Sequence, residues 1–193
     1  MTAKLEGRPR DVAITRAIVD AATRQMETAG FGKLTVDGIV TEVGTTRQAF
    51  YRRYRNLSTL ALEILLARFG KQDEVDTGSL EGDLFKLQII DVAMMSTPLI
   101  LNNLAGLLEE IQSDSETRAM YLEQMLIPRR NNVRKVLMRA QGRQEIAFVN
   151  PDSEFISDLL FGPLLARVLL PMGLPIDEAL ARQTVAAVLN YLR

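Results

Sequence analysis

The segment of residues 35–54, TVDGIVTEVGTTRQAFYRRY, constrains the fold of this chain more than any other part of the sequence. Four of its apolar residues recur at the i, i+3, i+4, i+7 spacing of one helix face: Val36, Ile39, Val40 and Val43. This spacing predicts a short amphipathic helix. We expect Thr35 to cap its N-terminus and Gly44 to end it in the left-handed conformation. A second short helix follows directly, so the segment is typical of a helix-turn-helix.

The second helix carries the residue types that read DNA. Thr46, with Thr45 as the alternative, is its expected N-cap. Ala49, Phe50 and Tyr54 can pack inward, and four polar residues are left on the outer face: Arg47, Gln48, Tyr51 and Arg52. Arg and Gln form bidentate hydrogen bonds with guanine and adenine edges, and Tyr and Arg commonly contact phosphates. An alternative stays open, because short helix pairs occur in many all-helical proteins and a basic exposed helix is often only a solvated face.

The composition argues against an enzyme. The chain has 193 residues with no cysteine and no histidine, so the thiol nucleophile, the commonest general base and the commonest metal ligand are missing. We therefore expect no catalytic site, no metal and no cofactor. No apolar run approaches the roughly 20 residues of a membrane span, and the start MTAKLEGRPRD lacks the apolar stretch of a secretory signal. We expect a cytoplasmic protein without a membrane partner.

Charge is distributed unevenly along the chain. Residues 1–55 hold ten Lys/Arg and six Asp/Glu, a balance of +4, whereas residues 56–193 hold thirteen and eighteen, a balance of −5. A basic N-terminal part on an acidic remainder suits a protein that meets a polyanion at one end.

Helical periodicity covers nearly the whole chain and predicts an all-α fold of about nine helices. Besides the two short helices, we expect helices near these bounds: Asp11 as N-cap to Ala29, Asn56 or Ser58 to Phe69, Leu80 to Ser96, Thr97-Pro98 to Gln112, a long helix after Glu116 to Ala140, Asp152 to Leu170, and Asp177 to Arg193. Pro128 should kink or split the long helix. The polar stretch 70–79 is the best candidate for a hinge.

The motif at the turn and second helix resembles that of TetR/AcrR-type transcriptional regulators. VGTTRQAFYRRYRNLSTL follows their pattern V-[AG]-x-[ST]-x-x-[TA]-[LF]-Y-x-[HRY]-[FY], and FGPLLARVLLPMGLPIDEAL is similar to the dimerisation region of one subset. The resemblance implies a three-helix helix-turn-helix DNA-binding domain at 1–56, a fourth helix at 56–70 that links it onward, and a helical ligand-binding and dimerisation domain at 71–193. It also implies a homodimer that a small-molecule effector releases from a roughly palindromic operator.

Carried over position by position, the resemblance assigns ten residues to DNA: Arg8, Arg10, Thr35, Thr45, Thr46, Arg47, Gln48, Tyr51, Arg52 and Arg55. Arg8 and Arg10 would follow the backbone or enter the minor groove, and Thr35 would donate to a phosphate. Two departures are visible, since Ala49 and Leu57 stand where many relatives have Thr and Lys. We expect Arg53 and Arg55 to replace the phosphate contacts that these departures remove.

A dimer is also suggested by the residues of 159–171, LLFGPLLARVLLP, which are apolar on almost every face except at Arg167. A helix of this kind must be buried on more than one side, either by a partner or by the core of its own subunit. Arg167 would pair with Asp158 or Glu154 of the partner, or lie at a solvated rim. The expected interface residues are Asp158, Phe161, Gly162, Leu165, Arg167, Leu169, Val185, Val188 and Leu189.

Flexible apolar residues in the C-terminal domain suggest a ligand site. The candidate lining residues are Met94, Met95, Leu101, Leu104, Leu108, Met120, Tyr121, Met125 and Phe155. Methionine adapts to varied ligands, although the same residues equally suit a filled core. The polar groups that could orient a ligand are Gln88, Asn102, Asn103 and Tyr121. Asp91 and Glu109 fall on largely apolar helices and could meet a cationic ligand, but we expect them at the surface. We expect an apolar or amphipathic effector.

Two interpretations follow. The leading one is a ligand-responsive, DNA-binding repressor that acts as a homodimer. The alternative is a helical dimeric module that binds a small molecule or another protein but not DNA.

Overall fold

The structure, a computed structural model, describes residues 9–70, 74–146 and 152–192, and it contains no strand in these ranges. The N-terminal elements are α1 (Pro9–Thr28), a 3-10 turn (Phe31–Lys33), α2 (Val36–Val43), α3 (Arg47–Tyr51) and α4 (Leu57–Phe69). The later elements are α5 (Leu80–Met95), α6 (Pro98–Leu101), α7 (Leu104–Ser113), α8 (Ser115–Tyr121), a π-helical segment (Leu122–Leu126), α9 (Ile127–Gly142), α10 (Ser153–Leu169) and α11 (Glu178–Tyr191). The predicted all-α fold is confirmed. We call α1–α3 the head and residues 74–192 the body.

The head is a small helical core built around α1. Ile18, Met26, Ile39 and Phe50 are completely buried, so α1 contributes one apolar face to the same core as α2 and α3. α4 extends this core toward the body, because Leu60 and its neighbours on this helix are also buried. The position of the two short helices is therefore fixed by apolar contacts on their inner faces.

The ends of the short helices follow the predicted caps. The hydroxyl of Thr35 accepts from the Gly38 amide at 3.0 Å, and that of Thr46 accepts from the Ala49 amide at 3.1 Å. Gly44 ends α2 with φ of 70°, in the left-handed region that costs glycine least. These three predictions are confirmed.

The N-terminal ends of α1 and α4 test the two remaining predicted caps of the N-terminal elements. Asn56, the first of the two predicted alternatives, caps α4 by accepting from the Thr59 amide at 2.8 Å. The predicted cap at Asp11 is wrong, because α1 begins two residues earlier at Pro9. Proline suits the first turn of a helix, since its φ is preset and its missing N–H would have had no helical partner.

The body contacts the head through a break between α6 and α7. The prediction of one helix from Thr97-Pro98 to Gln112 is wrong at residues 102–103, which separate α6 from α7; Thr97 caps α6 as expected, and α7 covers the rest of the predicted range. The Asn103 side chain donates to the carbonyl of Met26 at 2.9 Å, and that of Asn102 donates to the carbonyl of Glu27 at 2.7 Å. These two asparagines therefore bind the C-terminal end of α1, and the prediction that they orient a ligand is wrong.

A glycine makes this contact possible. Gly30 has φ of 81°, and a Cβ added to it would lie 2.6 Å from the carbonyl oxygen of Asn102. Any other residue would be strained at this φ and would push the break between α6 and α7 away from the head.

The long predicted helix is split as expected from Pro128. α8 passes into the π-helical segment Leu122–Leu126, and α9 then begins at Ile127 with the proline in its first turn. Proline cannot donate to a carbonyl one turn earlier, and a wider π turn is one way in which a helix accommodates that loss. The split places Met125 on a buried inner face.

The rest of the body is a bundle of α5, α9, α10 and α11 around a second apolar cluster. The described end of the predicted hinge, residues 74–79, is bound to this bundle. The completely buried carboxylate of Asp83 accepts from the amide and the hydroxyl of Thr77 at 2.5 and 2.8 Å, and from Arg143 at 3.2 Å. Residues 74–79 therefore belong structurally to the body.

Candidate nucleic-acid interface and cavities of the body

α3 exposes the polar face that the sequence predicted. Phe50 is completely buried, whereas Tyr51 is 56% exposed and Arg47, Gln48 and Arg52 are also exposed. The rings of Phe50 and Tyr51 meet edge to face with centroids 5.4 Å apart, so the buried ring supports the exposed one. We call Thr46, Arg47, Gln48, Tyr51 and Arg52 the recognition surface.

The recognition surface has an acidic neighbour that the sequence analysis missed. Nε and a terminal nitrogen of Arg47 donate to the two carboxylate oxygens of Asp37, in the first turn of α2. The hydrogen bond from Arg47 lowers the pKa of the Asp37 carboxyl, and the same bond raises the pKa of the Arg47 guanidinium. Because both side chains are more than half exposed, the pair adds little to stability and mainly fixes the direction of Arg47.

Asp37 could be missed because ten residues and a turn separate it from Arg47. Apolar periodicity shows which residues of α2 face the core, but it does not show what the outer face of this helix meets. The useful signal is the helix-turn-helix itself, which brings the first turns of α2 and α3 side by side.

Two arginines after α3 are engaged inside the protein. Arg55 pairs with Asp114 and Glu116, at the start of α8 in the body. Arg53 donates to the Thr15 hydroxyl at 2.9 Å and to the Ala49 carbonyl at 2.6 Å. Both residues therefore connect elements of this chain, and the phosphate contacts expected of them in place of those lost at Ala49 and Leu57 stay predictions.

The other residues assigned to DNA lie at the edges of the recognition surface. The Thr35 hydroxyl is occupied in capping α2, and Thr45 is half-buried with its amide bonded to the Val40 carbonyl at 2.9 Å. Arg8 lies outside the described residues. Arg10 lies in α1, and its side chain is outside the described part of the chain.

The Asp114 carboxylate joins the head to the body. It caps α8 by accepting from the Thr117 amide at 2.7 Å, and its other oxygen pairs with Arg55. These contacts, with the Thr117 hydrogen bonds as the largest cause, lower the pKa of Asp114 to about 2.

An apolar cavity lies between α4, the α6–α7 region, the π-helical segment and α10. Five of the nine predicted ligand residues line it: Met94, Met95, Leu104, Tyr121 and Met125. Its other lining residues are almost all aliphatic. Burial raises the pKa of the Tyr121 hydroxyl, in keeping with an apolar setting.

The remaining predicted ligand residues lie elsewhere. Leu101 and Phe155 are 45% and 44% exposed, so these two predictions are not supported: Leu101 ends the short α6 at the surface, and Phe155 packs its ring against Tyr191. Leu108 packs on the first apolar cluster without lining the apolar cavity, and Met120 is half-buried outside it.

A second cavity adjoins the apolar one. We call it the polar cavity because half of its lining residues carry polar groups, although most of its surface is apolar. These polar residues are Gln88, Asp91, Arg129, Arg130 and Ser157. Leu126, Arg129 and Phe161 line both cavities, whose volumes are about 40 Å³ (polar) and 20 Å³ (apolar). Both are narrow as they stand, so a ligand must move side chains that line them.

A buried ion pair stands at this boundary. Nε of Arg129 donates to Oδ1 of Asp91 at 3.0 Å, and their side chains are only 12% and 16% exposed. Burial raises the pKa of the Asp91 carboxyl, and the charge and hydrogen bond of Arg129 oppose that rise. The prediction that Asp91 lies at the surface is therefore wrong, because α9 brings a guanidinium against an otherwise apolar face of α5. Glu109 is exposed, as predicted.

Several predicted interface residues are used inside the subunit. Val185 and Val188 are buried against the second apolar cluster, and Phe161 and Leu165 line the apolar cavity. The predictions for Val185 and Val188 are wrong, because α11 covers the core of its own subunit with them. Phe161 and Leu165 are partly buried, so their place in an interface stays a prediction. Leu189 is partly buried on the same cluster.

The other predicted interface residues remain toward the surface. Leu169 is 41% exposed, and a Cβ on Gly162 would meet no atom within 4 Å. Glu154 and Asp158 pair with Arg130 of the same subunit, so neither carboxylate is left unpaired for Arg167 of a partner. A terminal nitrogen of Arg167 is buried without a hydrogen-bond partner in the described part of the chain.

Two further site types were searched for. No helix in the described ranges is long and apolar enough to cross a membrane. Across those same residues, no group of three or more acidic side chains is arranged to hold a metal ion.

Two family models match the chain. Residues 18–64 match the model described as bacterial regulatory proteins, tetR family, and residues 74–188 match that of the tetracyclin repressor-like C-terminal domain. The second match alone covers more than half of the chain. The second match begins at residue 74, within the segment 70–79 predicted as a hinge, and the first ends earlier, at residue 64.

Individual relatives agree with these matches. The chain is 26% identical over 180 residues to YdeS, an uncharacterized HTH-type transcriptional regulator of Bacillus subtilis (strain 168), covering 93% of this chain and 89% of that protein. A TetR transcriptional regulator from Agrobacterium tumefaciens has a similar structure, with a TM-score of 0.67, 19% identity and coverage of 92% and 93% of the two chains. A transcriptional regulator from Saccharomonospora viridis, solved in complex with choline, is also similar in structure. Its TM-score is 0.63 and its sequence identity is 14%, with coverage of 93% of this chain and 97% of that protein. At these identities the structural likeness concerns the fold.

Proposed function

Since this chain belongs to the TetR family of bacterial regulatory proteins and is a DNA-binding transcriptional regulator, we propose that it is a repressor which an effector releases from its operator. The expected absence of enzymatic activity agrees with this family, whose matched relatives are regulators. Regulators of the family bind DNA and small molecules as dimers. We also propose that it acts in the cytoplasm, where the DNA is.

The recognition surface supports sequence-specific binding. In the proposed complex Arg47 and Gln48 contact base edges, while Thr46, Tyr51 and Arg52 contact the backbone or neighbouring bases. The observation that carries this proposal is the exposure of these side chains on a helix anchored by the buried Phe50. Arg8, Arg10, Thr35, Thr45 and Arg55 stay predictions for phosphate contacts, and Arg55 would have to leave its pairs with the body to make one.

Exposed apolar residues near the end of α10 support a homodimer. Leu169, Leu170, Met172 and Leu174 are each more than 40% exposed, and so are Phe155 and Tyr191 on the neighbouring faces of α10 and α11. Apolar side chains exposed at both ends of α10 are what a symmetric dimer formed along this helix would bury. The buried nitrogen of Arg167 lies on the same helix and would receive an acceptor from the partner.

The apolar cavity supports an apolar or amphipathic effector. It is lined by Leu65 of α4 and Leu104 of α7, two helices that contact the head or lead into it. A ligand that widens the cavity must move at least one of them. Release then requires only that the effector bind more tightly to the conformation that fits DNA poorly.

Selection of binding sites from a random duplex pool by the full chain tests the proposed function. We expect an enriched inverted repeat whose half-sites are centred one helical turn or a multiple apart, about 34 Å or a multiple of it. Binding should weaken steeply with salt as counterions are released. Sedimentation should show a dimer at the same protein concentration. No enriched sequence, or a monomer that binds DNA only weakly and without preference, would overturn the proposal.

A further inference from the structure

Arg129 has more hydrogen-bonding capacity than its surroundings use. A guanidinium carries five N–H donors. Within the described residues its side chain meets two acceptors: Oδ1 of Asp91 at 3.0 Å from Nε, and Sδ of Met94 at 2.8 Å from a terminal nitrogen. A thioether is a weak acceptor. The other N–H donors of Arg129 meet no acceptor among the described residues, so this side chain is well suited to a ligand that supplies oxygen acceptors.

The position of Arg129 defines what else such a ligand contains. The guanidinium lies on the wall shared by the polar and the apolar cavity. Met94, Met95 and Met125 form much of the apolar side, and their flexible side chains can move aside for an aliphatic group. A ligand bound across the wall would therefore place a polar head against Arg129 and an apolar chain among the methionines.

The charges of the polar cavity favour an anionic head. Arg129 and Arg130 line it with Asp91 as the single carboxylate among its lining residues. Arg130 is already neutralised by Glu154 at 2.8 Å and Asp158 at 2.5 Å, outside the cavity lining. Asp91 is partnered by Arg129 through Oδ1, so the pair is neutral in total. Arg129 has three N–H donors left over, whereas Asp91 has one oxygen that meets no donor in the described part of the chain, so more of the unused capacity is cationic.

A cationic head fits less well. It would need Asp91, whose carboxylate already accepts from Arg129, and it would lie beside the two guanidiniums of the same cavity. Both guanidiniums would repel a cationic head, because like charges repel strongly in a buried site. The choline held by the Saccharomonospora viridis protein therefore gives no guide to the ligand of this chain, with which that protein shares 14% identity.

We propose that the two cavities together bind an amphipathic carboxylate, whose carboxylate oxygens accept from the terminal nitrogens of Arg129 and whose aliphatic chain enters the apolar cavity by displacing its flexible side chains. The inference rests on the proposed function only in taking these cavities as the effector site. The carboxylate of Asp91 stays hydrogen-bonded to Nε of Arg129. This bond fixes the plane of the guanidinium, whose other edge faces the ligand.

Isothermal titration calorimetry of the full chain without DNA tests this assignment. Three probes with similar chains and different heads are used below their micelle concentrations: sodium decanoate, decan-1-ol and decyltrimethylammonium bromide. Decanoate should bind at least about tenfold more tightly than decan-1-ol, because charge-assisted hydrogen bonds are about twice as strong as neutral ones. Decyltrimethylammonium should bind most weakly.

Two variants separate the roles of the pair. Asp91→Asn keeps an acceptor for Nε but removes the competing negative charge, so decanoate should bind severalfold more tightly than to the wild type. The double variant Asp91→Leu/Arg129→Met replaces the ion pair with apolar side chains of similar size, which proteins often tolerate. In that variant decanoate and decan-1-ol should bind with similar affinity.

The outcomes are distinct. The assignment is overturned if no probe binds, if decan-1-ol or the cation binds most tightly, or if Asp91→Asn weakens decanoate binding. Operator binding is then measured separately with and without decanoate. If decanoate binds as expected and the operator affinity does not change, the ligand class is supported and the proposed effector role of the cavities fails.

Discussion

The recognition surface of the head and the Asp91–Arg129 pair of the body each contain an arginine bound to an aspartate, in opposite surroundings. Arg47 and Asp37 are 66% and 60% exposed, whereas Arg129 and Asp91 are 12% and 16% exposed. Water screens the first pair, so Arg47 can exchange its partner for DNA at little cost. The second pair is held in a medium where an uncompensated charge is expensive. The difference in exposure therefore separates an arginine that can exchange its partner from an ion pair that must stay intact for the body to remain stable.

The two regions also differ in what holds them in place. The head depends on a few large buried side chains such as Phe50, which anchors the five-residue helix α3. The body depends on contacts between helices that are distant in the sequence, such as Asn103 on the end of α1 and Arg129 on α5. The predictions below test this difference, beginning with the largest effect.

Phe50→Ala should destabilise the head most. Removing a fully buried aromatic ring costs about 3–5 kcal/mol, because the small core around it cannot collapse into the cavity. Urea denaturation of the full chain gives the free energy of unfolding. Tyr51→Phe is the matched control, since it changes only an exposed hydroxyl and should be neutral. A Phe50→Ala variant as stable as the wild type would show that α3 is not anchored by this residue.

Arg129→Met should be the corresponding change in the body. It leaves Asp91 buried without a cation and should cost about 3–5 kcal/mol, while Asp91→Leu/Arg129→Met should recover most of that loss. Thermal unfolding of the two variants measures the recovery. Arg47→Met, in the exposed pair, should leave stability nearly unchanged, because water screens that pair. Equal losses for Arg47→Met and Arg129→Met would remove the proposed contrast between the two pairs.

Acid should weaken the link between head and body through Asp114. Its folded pKa of about 2 lies below the ordinary value of 3.8, so the stability it contributes is present above about pH 4 and is lost as the pH falls toward 2. Asp114→Asn should be less stable than the wild type at neutral pH, and this difference should disappear as the pH approaches 2. Melting temperatures of both proteins across this range test the sign. A difference that grows in acid would contradict the assigned role.

Asp37→Asn should have the smallest effect on stability and a measurable one on DNA. The loss of one acidic charge beside the recognition surface should raise affinity for random duplex, and a less oriented Arg47 should lower the preference for the operator. Competition binding with both duplexes measures the ratio. An unchanged ratio would mean that Arg47 is oriented by DNA alone.

The sequence predicts the head more fully than the body for a physical reason. Caps and turns such as Thr35, Gly44 and Thr46 depend on neighbours within four residues, and these predictions are confirmed. Burial patterns show which face of a helix is covered but not what covers it. Val185 and Val188 were therefore assigned to a partner, although they cover their own subunit.

Contacts between residues that are far apart in the sequence could not be predicted from local sequence patterns. Asp91 was expected at the surface because no residue near it in the sequence carries a compensating charge, and Arg129 lies 38 positions away. The Arg55 pairs with Asp114 and Glu116 span a similar distance and were also missed. Apolar periodicity did identify five residues of the apolar cavity, because a cavity forms where several predicted inner faces meet.

The central claim, that the exposed face of α3 reads an operator, is tested most directly by fluorescence anisotropy with wild-type and Gln48→Ala protein. Each is titrated against the selected operator and against a shuffled duplex of the same composition at one salt concentration. Gln48→Ala should lose about 1–3 kcal/mol of operator binding and leave binding to the shuffled duplex unchanged. Unchanged binding to both duplexes, or an equal loss on both, would contradict the claim.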